Sequence, residues 1–206
     1  MSNNKERTDI RNYEKNNISG GILSGTKIIE EVDNGNIVIT PFDKAKVNPN
    51  SYNLTINEKL LVYPDNTILD FKKHNSVDTL IIPEEGMILY PGKLYLGSTN
   101  EFCFTDKYVP IISGRSSTGR LGIKVHITAG YGDIGWKGKW TLEIAVELPV
   151  RIYPNIEFCQ IYYFTVFGNK NIQYNGRYQN QQGAVESRSN LEKKVYVNDW
   201  EISLWY

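Results

Sequence analysis

Two stretches near the middle of the chain hold the residue types that chemistry needs. The first is Gly114-Arg115-Ser116-Ser117-Thr118-Gly119-Arg120-Leu121-Gly122. It sets two guanidiniums and two adjacent serine hydroxyls among three glycines. Glycine lets backbone N–H groups approach a ligand closely. Arginine forks match phosphate oxygens, and successive N–H groups in a tight turn form an anion nest. The combination suits a polyphosphate. Taken alone it also fits a polar turn with charged edges, because short Gly/Arg/Ser runs are common. The second stretch is His126-Ile127-Thr128-Ala129-Gly130-Tyr131-Gly132-Asp133-Ile134-Gly135-Trp136-Lys137-Gly138.

The segment Trp140 to Val146 follows, and its apolar residues alternate with the period of a strand. Trp140, Leu142, Ile144 and Val146 fall on one face; Thr141, Glu143 and Ala145 fall on the other. Glu143 is thus a carboxylate on the second face of a largely apolar strand. A carboxylate is rarely fully buried without a partner. The partner expected for it is Arg120 or Arg115, in the first stretch. The alternative is a face that simply meets solvent.

The elements that must carry these residues read as β. Ser24 can cap a short helix bearing Ile28, Ile29 and Val32 and ending near Gly35. After it come short apolar runs at 37–40, 52–56, 60–63, 79–82, 87–90, 93–98, 101–104, 109–112, 123–127, 140–146, 150–153 and 158–164. Gly, Pro, Asn or Asp punctuate them. Many short strands with few helices predict a sandwich or jelly roll. No internal repeat is visible. The first 20 residues are Asn- and charge-rich and read as a flexible extension. From Asn169 to Asn190 the chain turns polar and Gln/Asn-rich, as a loop or tail would. Trp200, Ile202, Leu204 and Trp205 make the last residues too apolar for a free tail.

Composition narrows the class. A chain of 206 residues predicts one domain with a real core. Charges balance at 23 against 23, so no general nucleic-acid or membrane surface is expected. No run approaches a membrane span, and Met1 to Gly20 lacks the apolar core of a secretion signal. Cys103 and Cys159 sit in apolar runs and read as small core residues of a reducing compartment. A cytoplasmic protein is the expectation.

Taken together, these segments resemble the dCTP deaminase family, a branch of the trimeric dUTPase superfamily. The matching features are the Arg-Ser-Ser-x-x-Arg-Leu-Gly turn at 115–122 and the His-x-Thr-Ala segment at 126–129. The Asp-x-Gly-(aromatic)-x-Gly turn at 133–138 and the Leu-Glu strand at 142–143 come next, in the family's order. Two more are Val47-Asn48-Pro49-Asn50-Ser51-Tyr52-Asn53-Leu54 and the tail, Tyr174 with Arg177-Tyr178-Gln179-Asn180-Gln181-Gln182-Gly183-Ala184-Val185 and Ser187-Arg188. The resemblance covers roughly residues 22 to 188. It departs from the family at Ile134, where Pro is common, and at Gly130, Tyr131 and Arg177.

The resemblance implies a mostly β, dUTPase-like distorted jelly roll or β-barrel core over 21–168, with a short N-terminal helix. A C-terminal lid and extension would follow over 169–206. The implied reaction is deamination of dCTP to dUTP and ammonia. One chemical route to it uses a zinc-bound hydroxide held by Cys-x-x-Cys and His or Cys ligands. This chain has two distant cysteines and two histidines, His74 and His126, so no such set is expected. The other route uses a carboxylate that takes the water's proton directly. By the resemblance that base is Glu143, paired with Arg120 and aided by Ser116, with Ala129 leaving space for the water. Arg115, Ser116 and Ser117 would hold phosphate. Asp133 would bond the deoxyribose 3′-hydroxyl. The backbone and side chains of Thr141 and Leu142 would flank Glu143 and read the pyrimidine edge. Tyr174, Arg177 and Gln181 would close over the triphosphate as a lid. Mg2+ would arrive with the triphosphate, and no other metal site is implied. His126 reads as a structural residue near a region that shifts in relatives when dTTP inhibits. The relatives are homotrimers with shared sites, and 14 Tyr and 4 Trp supply surface for such contacts. Two alternatives stand beside this reading. One is a bifunctional or dUTPase-type enzyme giving dUMP and pyrophosphate, with Asp133 aiming a water at the α-phosphorus. The other is a non-catalytic nucleotide-binding regulator.

Overall fold

The computed structural model describes residues 20–191, together with the backbone of residues 195–197 and 200–202. The expected flexible extension over 1–20 therefore lies, except for Gly20, outside the described residues, as do Leu204 and Trp205.

Helix α1 (Gly25–Asp33) starts where its cap predicts. The Ser24 side-chain oxygen accepts the Lys27 N–H at 3.2 Å. The helix buries Ile28 completely. It also buries Glu31, which is tolerated because Lys27 Nζ (2.9 Å) and Asn36 Nδ2 (2.8 Å) satisfy its oxygens.

The strands are β1 (Ile37–Thr40), β2 (Tyr52–Thr55), β3 (Lys59–Val62), β4 (Asp78–Ile81), β5 (Met87–Leu89), β6 (Tyr95–Thr105) and β7 (Tyr108–Gly114). A one-turn helix, α2 (Ser116–Arg120), precedes β8 (Ile123–Lys124), β9 (Lys137–Val146), β10 (Val150–Ile152) and β11 (Glu157–Thr165). A terminal hairpin joins β12 (Val195–Val197) and β13 (Trp200–Ile202). One sheet runs β4-β3-β6-β9-β8, with β1 also paired to β6, and a second runs β2-β11-β7. All pairings in both sheets are antiparallel. One core draws on both. It holds Tyr52 and Leu54 of β2, Ile161 and Tyr163 of β11, Leu60 of β3, and Leu142 and Ile144 of β9. The mostly β, jelly-roll-like expectation holds.

Strand β6 departs from the sequence reading. The runs at 93–98 and 101–104 are one strand, whose pairing with β9 shifts register between Ser98 and Phe102. The shift turns Glu101 inward, where it is fully buried. Lys46 Nζ and the Thr55 hydroxyl, both at 3.0 Å, and the Thr55 N–H at 2.9 Å meet its carboxylate. Cys103 and Cys159 are free and buried, and burial pushes both thiol pKa values up. No helix among the described residues is long and apolar enough to cross a membrane.

Candidate active site

Strand β9 buries every second residue from Gly138 to Val146 and leaves Thr141, Glu143 and Ala145 half-buried on its other face. Thr141 and Glu143 line a cleft of about 550 Å3. The opposite wall comes from Ile127, Thr128 and Ala129 and from the turn at 131–133. The Glu143 carboxylate reaches across to that wall. Its Oε2 accepts the backbone N–H of Ile127 at 2.8 Å and that of Thr128 at 3.3 Å.

Glycines let the 127–132 wall lie flat against β7. Ile112 donates its N–H to the Gly130 carbonyl at 2.7 Å, and Gly132 donates to the Pro110 carbonyl at 2.9 Å. A Cβ at Gly130 would lie 2.6 Å from the Ile112 carbonyl oxygen and would collide with the His126 ring. A Cβ at Gly132 would collide with the Trp140 ring. His126 itself packs on Gly130 and does not line the cleft. Asp133 does line it, and burial raises its carboxyl above the ordinary 3.8. Trp136 and Trp140, with ring centroids 4.3 Å apart, stand beside it.

The tail forms the third wall. Gln179 accepts the Lys137 N–H at 2.9 Å and donates to the Gly135 carbonyl at 2.8 Å. Gln181 is buried; its Nε2 donates to the Lys139 carbonyl at 2.6 Å and to the Thr141 hydroxyl at 3.1 Å. The Trp136 indole N–H reaches the Tyr178 carbonyl at 3.1 Å. Tyr174, Tyr178, Gln181, Val185, Glu186 and Ser187 thereby face the cleft.

Six of the expected site residues therefore share one cleft: Ala129, Asp133, Thr141, Glu143, Tyr174 and Gln181. Others do not join them. Leu142 is fully buried in the core, because strand alternation points it away from Glu143, so its side chain does not read a pyrimidine. Arg177 does not line the cleft. Its Nη1 donates to the Arg188 carbonyl at 2.6 Å, and Arg188 Nη1 returns the bond to the Arg177 carbonyl at 2.6 Å. Arg115, Ser116, Ser117 and Arg120 also lie outside the lining. Arg115 pairs with Glu157, Nη2 to Oε2 at 2.8 Å. Ser116, Ser117 and Arg120 are exposed. The expected Arg120–Glu143 pair is not formed within one chain. The Thr118 hydroxyl ties α2 to the Phe158 carbonyl on β11 at 2.9 Å, while the amides at 127 and 128 hold Glu143 on the cleft wall.

The lining carries three carboxylates, Asp133, Glu143 and Glu186, and neither lysine nor arginine. Tyr63, Trp136, Trp140, Tyr178, Glu186 and Ser187 are lining residues that the sequence reading did not assign to the site. Trp136, Tyr178 and Ser187 lie inside the motifs themselves, which was an available signal. Tyr63, at the end of β3, had none. Among the described residues no cluster of three His, Cys, Asp or Glu side chains could hold a metal ion.

A mostly antiparallel β fold with a carboxylate- and aromatic-lined cleft walled by its own tail has the form of a small-ligand site. A sequence profile described as dCTP deaminase-like matches residues 22–166. The chain is 55% identical over 166 residues to "dCTP deaminase, dUMP-forming" of Clostridium beijerinckii, a match covering 81% of this chain and 95% of that one. It is 54% identical over 177 residues to the protein of the same name from Clostridium acetobutylicum, covering 86% and 99%. The fold is also similar to the crystal structure of 2′-deoxycytidine 5′-triphosphate deaminase from Agrobacterium tumefaciens. That likeness has a TM-score of 0.58 at 18% identity and spans 71% of this chain and 49% of that one. This chain belongs to the dCTP deaminase-like family. The relatives' names overturn dUTP as the expected product, since they are dUMP-forming.

Proposed function

We propose that this protein deaminates dCTP and cleaves the resulting triphosphate, so that one dCTP and two waters give dUMP, ammonia and pyrophosphate. The names of relatives with more than half their residues identical support this reading. The observation that carries it is that two carboxylates, Glu143 and Asp133, face one cleft from separate elements. Glu143 takes the proton of a water adding to C4 of cytosine, the C4–N bond breaks, and the proton leaves with ammonia. Ala129, small and on the wall beside Glu143, leaves space for that water. A second water, aimed by Asp133, forms a bond to the α-phosphorus as the bond to the β-phosphate oxygen breaks. A carboxyl raised by burial is a stronger base for such a step. Mg2+ enters with the triphosphate, as part of the substrate. The tail, through Tyr174 and Gln181, closes over the bound nucleotide.

A triphosphate cannot sit beside three carboxylates without cations. The chain's own cations for it, Arg115 and Arg120, flank the two exposed serines on α2, outside the lining. The site is therefore completed by α2 of a second copy. There Arg115, Ser116 and Ser117 meet phosphate, and Arg120 meets Glu143. Such a pocket-to-turn contact is heterologous, the type that forms a ring where its rotation closes. A homotrimer is the ring that the family resemblance implies.

The test is the product formed from dCTP with magnesium. The expected result is dUMP, ammonia and pyrophosphate without accumulation of dUTP. Accumulating dUTP, or no turnover, overturns the proposal.

A further inference from the structure

We propose that Glu157 is a positioning residue, which holds the Arg115 fork ready for phosphate and does so from a part-buried polar chain running back to the Asn48–Asn53 segment. The inference rests on the reading of Arg115 as a phosphate ligand. Arg115 makes two contacts to one residue: Nη2 lies 2.8 Å from Glu157 Oε2, and Nη1 donates to the Glu157 carbonyl at 2.8 Å. A planar guanidinium held at two points loses its rotation, and its remaining N–H groups keep a fixed direction. Glu157 is itself fixed. Asn53 Nδ2 donates to the same Oε2 at 2.9 Å, and Asn53 Oδ1 accepts from Asn48 Nδ2 at 2.8 Å.

The backbone around Arg115 is held from the same strand. Gln160 Nε2 donates to the Gly114 carbonyl at 2.9 Å, and the Ser51 hydroxyl donates to Gln160 Oε1 at 2.8 Å. The Thr118 hydroxyl donates to the Phe158 carbonyl at 2.9 Å. Strand β11 thus grips the turn before, at and after Arg115, and β2 grips β11. The Arg115 and Glu157 side chains are 29% and 34% exposed. A pair so exposed adds little to stability. Its negative charge also opposes an approaching phosphate. What Glu157 supplies is geometry: an arginine already in place loses less freedom when the anion arrives. The Val47–Leu54 segment, which the proposed reaction leaves without a task, is the far end of this support.

The experiment compares the full-length wild type with Glu157→Ala, Glu157→Gln, Arg115→Ala and the double Arg115→Ala/Glu157→Ala variant. Glu157→Ala should raise KM for dCTP about tenfold, as a small misplacement of a binding group does, with kcat within about twofold. Glu157→Gln keeps an acceptor oxygen and should return KM to within about threefold of wild type. The double variant should be no worse than Arg115→Ala, because Glu157 acts through that guanidinium. Independent effects that multiply, or a fall in kcat and thermal stability at unchanged KM, overturn the inference. Calorimetric binding of inorganic tripolyphosphate to the same proteins reads the same ranking without turnover. If wild type binds tripolyphosphate but releases no ammonia, the proposed reaction fails, and the ranking of the variants still decides the role of Glu157. If wild type binds no tripolyphosphate, the inference fails.

Discussion

Glu143 meets the backbone of Ile127, not a guanidinium of its own chain. Its Oε2 accepts that N–H at 2.8 Å and the Thr128 N–H at 3.3 Å. The candidate base is thus oriented by the same segment that carries Ala129, and its other oxygen is left for the reacting water. Glu143→Gln separates orientation from proton transfer. The amide oxygen can still accept both N–H groups, so fold and nucleotide affinity should persist. The amide cannot take the water's proton, so ammonia release from dCTP should fall by about 10²–10⁴-fold. Pyrophosphate release from dUTP, which does not need that base, should continue. Ammonia and pyrophosphate assayed separately decide it, and full ammonia release by the variant would sink the mechanism.

The separation of α2 from the cleft gives a second expectation. Arg120→Ala and Glu143→Gln should each be inactive in deamination alone. Mixed after reversible dissociation, they should regain activity. A site that takes its cleft from one parent and its α2 turn from the other is intact, and random mixing makes about a quarter of the sites so. No recovery, with mixed oligomers demonstrated by mass, would place both residues in one subunit's site and overturn the shared arrangement.

Gly130 is fixed by its neighbours, not by its backbone angles. A side chain there would meet the Ile112 carbonyl at 2.6 Å, and that carbonyl belongs to β7. Strand backbone cannot step aside as a flexible side chain can. Gly130→Ala should therefore cost about 1–3 kcal/mol of stability, as overpacking does. It should also displace Ala129 and the amides that hold Glu143. Thermal unfolding and ammonia release should both fall. Normal activity with a lowered melting temperature would show that the wall moves without disturbing the base.

Legibility in the sequence followed the range of the interactions. The run at 37–40 is β1 residue for residue, and Ser24 caps α1, because both are set by local pattern. The alternation in β9 placed Glu143 opposite the core-facing residues, as found. Strand β8 stops at Lys124 instead of continuing to Ile127, since the chain must leave β9 to bring the amides at 127 and 128 to Glu143. Thr99 and Asn100 look like a break between two runs and instead lie in the shifted stretch of one long strand. The tail looked like loop because it is polar. Gln179 and Gln181 use side-chain amides to bond the 135–141 backbone and the Thr141 hydroxyl, a pattern without periodicity. The position of α2 depends on contacts to 157–160, which no local reading of 114–122 contains.

Asp133 carries the last prediction, on both stability and product. Burial raises its carboxyl above 3.8 in the folded protein. Below that ordinary value both folded and unfolded states hold the proton, and the group costs nothing. As pH rises from there toward the raised folded value, the unfolded chain releases its proton first. The native state then binds more protons, and stability declines through that window. Above the window the loss is complete, because the native carboxylate is ionised in a half-buried place. Asp133→Asn never ionises. It should match wild type near the ordinary value and melt at a higher temperature than wild type from above the window to neutrality, in the absence of nucleotide. The same variant should still release ammonia from dCTP but should accumulate dUTP, since the second water has lost its carboxylate. Melting curves across about pH 4 to 7 and a product assay answer both halves. Unchanged dUMP formation by Asp133→Asn would assign the second hydrolysis to another group, and a lower melting temperature at neutral pH would show that the carboxylate is stabilised where it stands.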